Sequence, residues 1–169
     1  MERVLFKTFQ VLDIDKNAIG LRNENNTPYF CTPVGAEIIG DIGVDGIHFC
    51  FIPVVDENMV FAVSPIPCGP HHVEPIAYDF IDFMRLILSC GDAAPLEQIA
   101  WIGEVDFVNM IQSNAERFMG DQINACQTIQ TVFGVEKIIE PYRYVKSIQA
   151  HFNYQSIPFP DEYYDLCGL

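Results

Sequence analysis

The first half of the sequence lacks positive charge. No lysine or arginine lies between Arg22 and Arg85, and the 169-residue chain has 9 Lys and Arg against 23 Asp and Glu, a net charge of −14. Nucleic-acid backbones and anionic membrane surfaces repel such a protein, so we expect direct binding to neither. Two interpretations stay open: a surface that keeps an acidic protein soluble, and electrostatic attraction of a basic partner.

The cysteines lack the spacing of a zinc ribbon or a dithiol redox motif, because no CxxC pair occurs. The stretch MERVLFKTFQVL lacks the unbroken apolar core of a signal peptide, and the apolar stretch 58–73 is broken by three prolines and a glycine. We therefore expect a cytoplasmic protein with reduced thiols and no membrane span. Cys50, Cys90 and Cys126 lie in apolar patterns and are predicted core residues.

Common catalytic motifs are missing as well: there is no GxSxG, no HExxH, no P-loop and no protein-kinase set. The glycines of GAEIIGDIGVDG (35–46) include a GxxGxxG spacing and precede a predicted strand rather than a helix, which argues against a phosphate-binding loop. Asp41 and Asp45 do not supply the ligand series of a calcium loop. We interpret this segment as flexible turns and expect no catalytic residues or cofactor.

Short β-forming segments dominate the front of the chain and predict an antiparallel β-meander. Its first strands are predicted at 3–12, 18–22 and 27–32, with turns at DIDKN and NENN. IHFCFIPVV (47–55) and NMVFAVS (58–64) then predict a β-hairpin with Asp56 and Glu57 at its tip. Both hairpin strands are apolar at almost every position, which predicts a central place in a sheet covered on both faces.

The apolar period changes after Pro70. Residues 76–90 have the spacing of an amphipathic helix, with Pro75 predicted at its first position and Gly91 at its end. Further helices are predicted at 94–101, 104–119, 121–133 and 140–152. Strands followed by helices predict one α+β domain over 1–169, which is strand-rich in 1–66 and helix-rich in 74–152, with an irregular tail in 153–169.

One stretch, PCGPHHVEP, gathers side chains of the types that bind zinc: Cys68, His71, His72 and Glu74. Adjacent histidines point to opposite sides of an extended segment, and no second cluster completes the coordination sphere. The preferred interpretation is a strand-to-helix connection with Glu74 at the positive end of the helix. A small metal-dependent enzyme built on this cluster is the alternative hypothesis.

The hairpin and the helix after it are similar to a known family. IGVDGIHFCFIP, MVFAVSP and IAYDFIDFMRLIL resemble the core of the SUKH superfamily, bacterial immunity proteins related to a fungal cell-wall synthesis regulator. Members typically carry a Gly- and Asp-containing turn into a strand, a second strand and an SFEEFL-like helix, to which YDFIDFM is similar. The resemblance covers about residues 38–90. It implies an α+β domain that binds a protein partner, often a toxin nuclease, without catalytic residues of its own.

We therefore predict a non-enzymatic, acidic protein-binding module whose partner is a basic protein, such as a toxin that it neutralises. The predicted contact residues are Asp41, Asp45, Asp56 and Glu57. A third hypothesis makes the chain a subunit of an assembly in which aromatic residues of the tail dock on a neighbour, although packing on the domain's own core is preferred. These aromatics are Tyr154, Phe159, Tyr163 and Tyr164.

Overall fold

The computed structural model describes residues 2–23 and 27–168. The elements of this part of the chain are, in order, α1 (Glu2–Gln10), β1 (Glu37–Asp41), β2 (His48–Ile52), β3 (Asp56–Val63), β4 (Val73–Ala77), α2 (Phe80–Cys90), α3 (Ala94–Gln98), α4 (Glu104–Ala115), α5 (Gly120–Phe133), α6 (Pro141–Gln149) and α7 (Asp161–Cys167). Short 3₁₀ turns occupy Asn17–Ile19 and Tyr154–Ser156. Among the described residues, none of the helices combines the length and apolar character needed to cross a bilayer.

The strands form one antiparallel sheet in the order β1-β2-β3-β4, and helices follow it, so the predicted α+β class is confirmed. The hairpin of β2 and β3 is confirmed as well, with Phe49 opposite Ala62 and His48 opposite Val63. Every residue of β2 is buried, as expected for a central strand. Asp56 and Glu57 begin β3 rather than forming the tip of the turn.

Apolar side chains leave both faces of this sheet. One face packs against α1 and α2, where the Phe80 ring lies 5.5 Å from the Phe6 ring and 5.6 Å from the Phe9 ring, centroid to centroid. The other face packs against the chain around α6 and the tail, with the Phe61 and Phe152 rings 5.4 Å apart. The sheet residues on this second face are Cys50, Ile52, Met59, Phe61, Val63 and Val73. Because side chains alternate along a strand, the neighbouring positions serve the first face.

The strand predicted at 3–12 is wrong, since α1 occupies that segment. Its apolar residues Phe6 and Phe9 are one helical turn apart and are 8% and 2% exposed, which matches one buried helix face. The strands predicted at 18–22 and 27–32 are also absent from the described residues, apart from an isolated bridge between Arg22 and Asp41. Most of the turn predicted at NENN (23–26) lies outside the described residues.

Two strands occupy segments for which the sequence predicts other structure. β1 lies inside the glycine-rich stretch for which flexible turns are predicted. β4 contains Glu74 and Pro75, opposite Ala62 and Phe61, so Pro75 does not open a helix and Glu74 does not lie at a helix terminus. Proline lacks a backbone N–H, and it is tolerated here because β4 is an edge strand.

Helix α2 begins later than predicted, with Asp79 as its N-cap: the Asp79 carboxylate accepts a hydrogen bond from the Asp82 N–H at 2.7 Å. Its predicted end is confirmed, since Gly91 has φ 74° and donates its N–H to the Ile87 carbonyl at 2.6 Å. The four later helices are present as α3 to α6 with shifted bounds. The tail is more regular than predicted, because α7 follows Pro160.

The tail aromatics pack mainly on the domain's own core. Tyr154, Phe159 and Tyr163 are partly buried against the second sheet face, which confirms the preferred interpretation for these three. Tyr164 remains 42% exposed and contacts the Tyr163 ring edge-on at 5.4 Å between centroids. The tail therefore acts as a cover for the sheet.

The glycine at the end of α2 offers a test of this packing. A methyl group at Gly91 would occupy the position of the Phe118 ring, whereas nothing lies near the corresponding position at Gly134, which has a similar φ of 63°. We expect Gly134→Ala to lower the free energy of unfolding by about 1 kcal/mol through backbone strain alone. Gly91→Ala should cost about 1–3 kcal/mol more, because Phe118 must also move. Urea denaturation of both variants measures the difference, and equal losses would contradict the described packing.

Candidate functional site

The histidines and thiol of the predicted zinc cluster lie in the loop between β3 and β4 and do not converge. His72 Nδ1 is 2.9 Å from the Ser64 carbonyl, to which it donates, and His72 Nε2 is 4.0 Å from Cys167 Sγ. Cys68 is exposed. In residues 2–23 and 27–168, no group of three or more His, Cys, Asp or Glu side chains is placed to hold a metal ion. The metal hypothesis therefore has no ligand geometry behind it.

Glu74 follows this loop in the chain and makes a buried polar contact. It is 5% exposed, and its Oε2 accepts a hydrogen bond from the Tyr154 hydroxyl at 2.6 Å. The His71 ring stacks on the Tyr154 ring with centroids 3.8 Å apart. Burial raises the pKa of Glu74; the Tyr154 hydrogen bond and the charge of Lys146 oppose this rise, while the nearby Glu97 adds to it.

Glu97, from α3, is the second buried carboxyl group and is 8% exposed. Burial raises its pKa too, against hydrogen bonding that includes Trp101. Pairs of buried acids can serve acid–base chemistry, but a substrate would have little access to groups this enclosed. We therefore interpret Glu74 and Glu97 as structural residues that join β4, α3 and the tail.

The cysteines divide by exposure. All six lie in the described part of the chain and are free thiols. Burial raises the pKa of Cys31 and of Cys90 to about 12, and it also raises the pKa of Cys50 and Cys126. The predicted core positions of Cys50 and Cys90 are confirmed, on opposite faces of the sheet, and Cys126 is half-buried against the core that contains Cys90. Buried thiols of raised pKa are poor nucleophiles, so this geometry does not favour cysteine catalysis at these positions.

Asp41 and Asp45 frame the turn between β1 and β2. Asp41 Oδ1 accepts a hydrogen bond from the Gly43 N–H at 2.8 Å, and the Asp41 backbone exchanges two hydrogen bonds with Arg22, at 2.8 and 2.9 Å. Asp45 has φ 51°, a left-handed conformation that aspartate tolerates better than most residues. Val44 between them is 56% exposed. The turn therefore presents acids beside an apolar side chain.

Asp56 and Glu57 lie at the other end of the hairpin. Asp56 Oδ1 accepts hydrogen bonds from the N–H groups of Asn58 at 2.9 Å and Met59 at 3.1 Å. Asp41 pairs with His48 at one end of β2, whereas Asp56 pairs with Ile52 at the other. At about 3.3 Å per residue, the two acidic ends are about 13 Å apart along the strand. The four predicted contact residues thus form two separate pairs.

The end of β2 next to Asp41 contains a buried polar contact. The spacing of residues in the sequence does not predict this contact. His48, 2% exposed, lies with Nδ1 2.8 Å from the Gly46 carbonyl and Nε2 3.2 Å from Thr32 Oγ1. Since Nδ1 faces an acceptor, it carries the hydrogen and Nε2 accepts from the threonine. Burial lowers the pKa of His48, while the hydrogen bond to Gly46 and the charge of Asp41 oppose this shift. The Tyr29 ring stacks on the His48 ring with their centroids 5.9 Å apart. The backbone N–H of Tyr29 donates a hydrogen bond to Thr32 Oγ1 at 2.8 Å.

Comparisons of the chain with protein-family models, with curated proteins and with solved structures found no match.

The Glu74 contact predicts a pH dependence of stability. Because its pKa is raised in the folded chain, the folded state binds the proton more tightly than the unfolded state, and stability falls as pH rises above the unfolded value of about 4.3. Glu74→Gln removes this titration while keeping an oxygen that accepts from Tyr154. We expect the variant to lose less stability than the wild type between about pH 5 and about pH 8, measured by urea denaturation.

Glu57→Gln is the matched control, since it removes a carboxylate from an exposed position. An equal change of the pH profile in both variants would contradict the role assigned to burial at Glu74.

The dispersed ligands predict that the protein does not bind zinc stoichiometrically. A structural zinc site needs about four ligands at about 2.0–2.3 Å, and His71, His72 and Glu74 are engaged in separate contacts. Elemental mass spectrometry of untagged protein, compared with a His71→Ala, His72→Ala double variant, should give the same substoichiometric zinc content for both. About one zinc per chain that the double variant loses would restore the metal-enzyme hypothesis.

Proposed function

We propose that this protein is a non-enzymatic, acidic binding module of the SUKH type, which acts in the cytoplasm and binds a basic protein partner. The partner in this proposal is recognised by surface complementarity, as in an immunity protein that neutralises a toxin. The observation that carries the proposal is the position of the cation-free segment in the fold.

Every strand of the sheet, and every turn between strands, comes from the stretch between Arg22 and Arg85 that has no lysine or arginine. The turns place Asp41 and Asp45 at one end of β2 and Asp56 and Glu57 at the other. Both ends therefore present negative charge without a cation from the same segment. A field of one sign steers an oppositely charged partner towards the surface that carries it.

Several of the cations elsewhere are engaged within the fold. Arg85 pairs with Asp82 at 2.7 Å, and Arg143 pairs with Glu104 at 2.7 Å and Glu140 at 2.9 Å. Lys16 and Lys146 donate to backbone carbonyl groups at 3.0 and 3.2 Å. These contacts involve α2, α6 and the segment after α1, whereas the Arg22 guanidinium lies against Gly43 in the turn between β1 and β2. The excess negative charge therefore lies on the surface.

The order of elements supports the family likeness. A glycine- and aspartate-containing turn leads into β2, β3 follows, and the helix containing YDFIDFM comes next, after the additional strand β4. Domains of this type usually open with a helix that carries a proline-tyrosine motif; the described chain begins with helix α1, which lacks that motif. Two sheet faces buried by the chain itself leave the turns and edges for a partner.

The test begins with capture of partners on the tagged protein, followed by reconstitution of each complex from purified components. We expect a complex of one to one stoichiometry with a basic protein, whose dissociation constant rises with salt. The variant D41N/D45N/D56N/E57Q removes four charges but keeps the oxygens that accept the turn hydrogen bonds of Asp41 and Asp56. It should bind about 4- to 900-fold more weakly, at about 0.2–1 kcal/mol for each of the four exposed pairs.

A control variant of equal net charge is D106N/E116Q/D121N/D165N, whose four positions are exposed on or beside the helices. It should retain most of the affinity, because its charges lie away from the sheet turns. A reconstituted complex whose affinity changes neither with salt nor in either variant would contradict the electrostatic proposal. Failure of every captured protein to re-form a complex would remove the binding function itself.

A further inference from the structure

Helix α5 differs from the other helices in its charge. Residues 122–135 contain no Asp, Glu, Lys or Arg, although the chain has a net charge of −14. Asp121, in the first turn, is the only charged residue of α5, whereas α1, α2, α4, α6 and α7 each contain two or three. Depletion of charge at a surface is the compositional signature of a protein–protein interface.

The charge-free part of α5 lies at the surface. Of the residues in this helix, Ala125 and Ile129 are buried, and both belong to the core beneath it. The side turned away from that core is exposed and is here named the α5 face. Its residues are Gly120, Asn124, Gln127, Gln130, Thr131 and Gly134.

The side chains of the α5 face are complementary to themselves. Amide and hydroxyl groups carry both a donor and an acceptor, so two copies of Asn124, Gln127 or Thr131 can bond to one another. Carboxylate or ammonium groups in the same positions would repel their own copies. A two-fold symmetric contact places the same surface on both sides and therefore needs side chains of the first kind.

The α5 face is also symmetric in shape about Gln127. Gly120 and Gly134 lie seven residues before and after it, which is about two helical turns or about 10 Å in each direction. Nothing lies within 4 Å of the position that a methyl group would take at either glycine. An antiparallel second α5 centred on Gln127 brings Gly120 against Gly134, where two backbones can approach closely.

A hollow of about 310 Å³ runs along one side of the α5 face. Gln127 and Gln130 line it from α5, and Glu136 and Lys137 line it from the segment after the helix. Met119, which precedes α5, is 74% exposed. In an antiparallel pair, Met119 of one copy lies opposite the segment after α5 in the other copy. Its flexible side chain suits an irregular hollow at that place.

We propose that the α5 face binds a second copy of this chain, with the two α5 helices antiparallel about a two-fold axis at Gln127. Two copies that each have a net charge of −14 repel one another, and contact through charge-free side chains keeps this repulsion small. The 14 residues of α5 span about 21 Å, so the contact is small and the dimer is weak. The dimer does not depend on the proposed partner.

Sedimentation velocity of the full chain over a series of concentrations tests for the dimer. We expect a reversible equilibrium between monomer and dimer. Because salt screens the repulsion between two acidic copies, added salt should strengthen the dimer, whereas it should weaken binding of a basic partner. A protein that stays monomeric at every concentration and salt level would overturn the inference, and so would a dimer that salt dissociates.

Opposite charges at Gln127 locate the contact. Q127E or Q127K alone places like charges beside each other at the axis and should weaken the dimer at least about tenfold. An equal mixture of Q127E and Q127K should form a heterodimer and recover the affinity. M119S should weaken the dimer about three- to tenfold through lost apolar contact.

Q155E and Q155K are the matched controls. Gln155 is exposed in the turn Tyr154–Ser156, which covers the sheet face opposite α2 and α5, so neither variant should change the dimer. Gln127 variants that associate as tightly as the Gln155 variants would refute the α5 contact. Weakening in both Gln127 variants without recovery in their mixture would refute the two-fold axis. Circular dichroism checks that every variant folds.

The dimer and the proposed partner can fail separately. A monomeric protein that still binds a basic partner would refute the dimer and leave the binding function standing. A dimer that passes the Gln127 mixing test, without any protein that re-forms a complex, would do the reverse.

Discussion

Apolar side chains project from both faces of β2 and β3, so other elements must cover the sheet on each side. Helices α1 and α2 supply the first cover, centred on the Phe80 ring. The second comes from α6 and the aromatic tail, which returns across the sheet far along the chain. Burial of apolar area is the largest favourable contribution to folding, so this double cover determines where the remaining segments lie. Within the sheet, only the turns and the strand edges are left to carry exposed charge.

Two of the buried polar side chains inside this arrangement, His48 and Glu74, have hydrogen-bond partners. His48 contacts the Gly46 carbonyl and Thr32, and Glu74 accepts from Tyr154. Each joins segments distant in the sequence, and each would be costly if its partner were removed, because an unpaired buried polar group loses its hydration without compensation. The His48 contact also fixes the exposed Tyr29 beside the acidic turn. The packing that buries His48 thus also sets the position of a side chain at the surface.

The sequence predicts the hairpin, the end of α2 and the four helices after it, because their apolar periods are long and their glycines mark clear ends. Segments with mixed signals are predicted wrongly. In α1, partial alternation conceals the spacing of Phe6 and Phe9, and in β4 a proline suggests a helix start although an edge strand tolerates it. The acidity of the sheet turns is readable from the chain, but Tyr29 beside His48, or Tyr154 beside Glu74, depends on tertiary contacts that leave no local pattern.

We propose that a basic partner binds at the acidic turns of the sheet, around Asp41 and Asp45 and around Asp56 and Glu57. Hydrogen–deuterium exchange of the protein, alone and in its reconstituted complex, tests this proposal without any substitution, because it reports on the backbone of the whole chain. We expect new protection in residues 41–46 and 53–58, with little change in α4 and α5. Protection confined to α4 and α5, with both turns exchanging as in the free protein, would contradict the proposal.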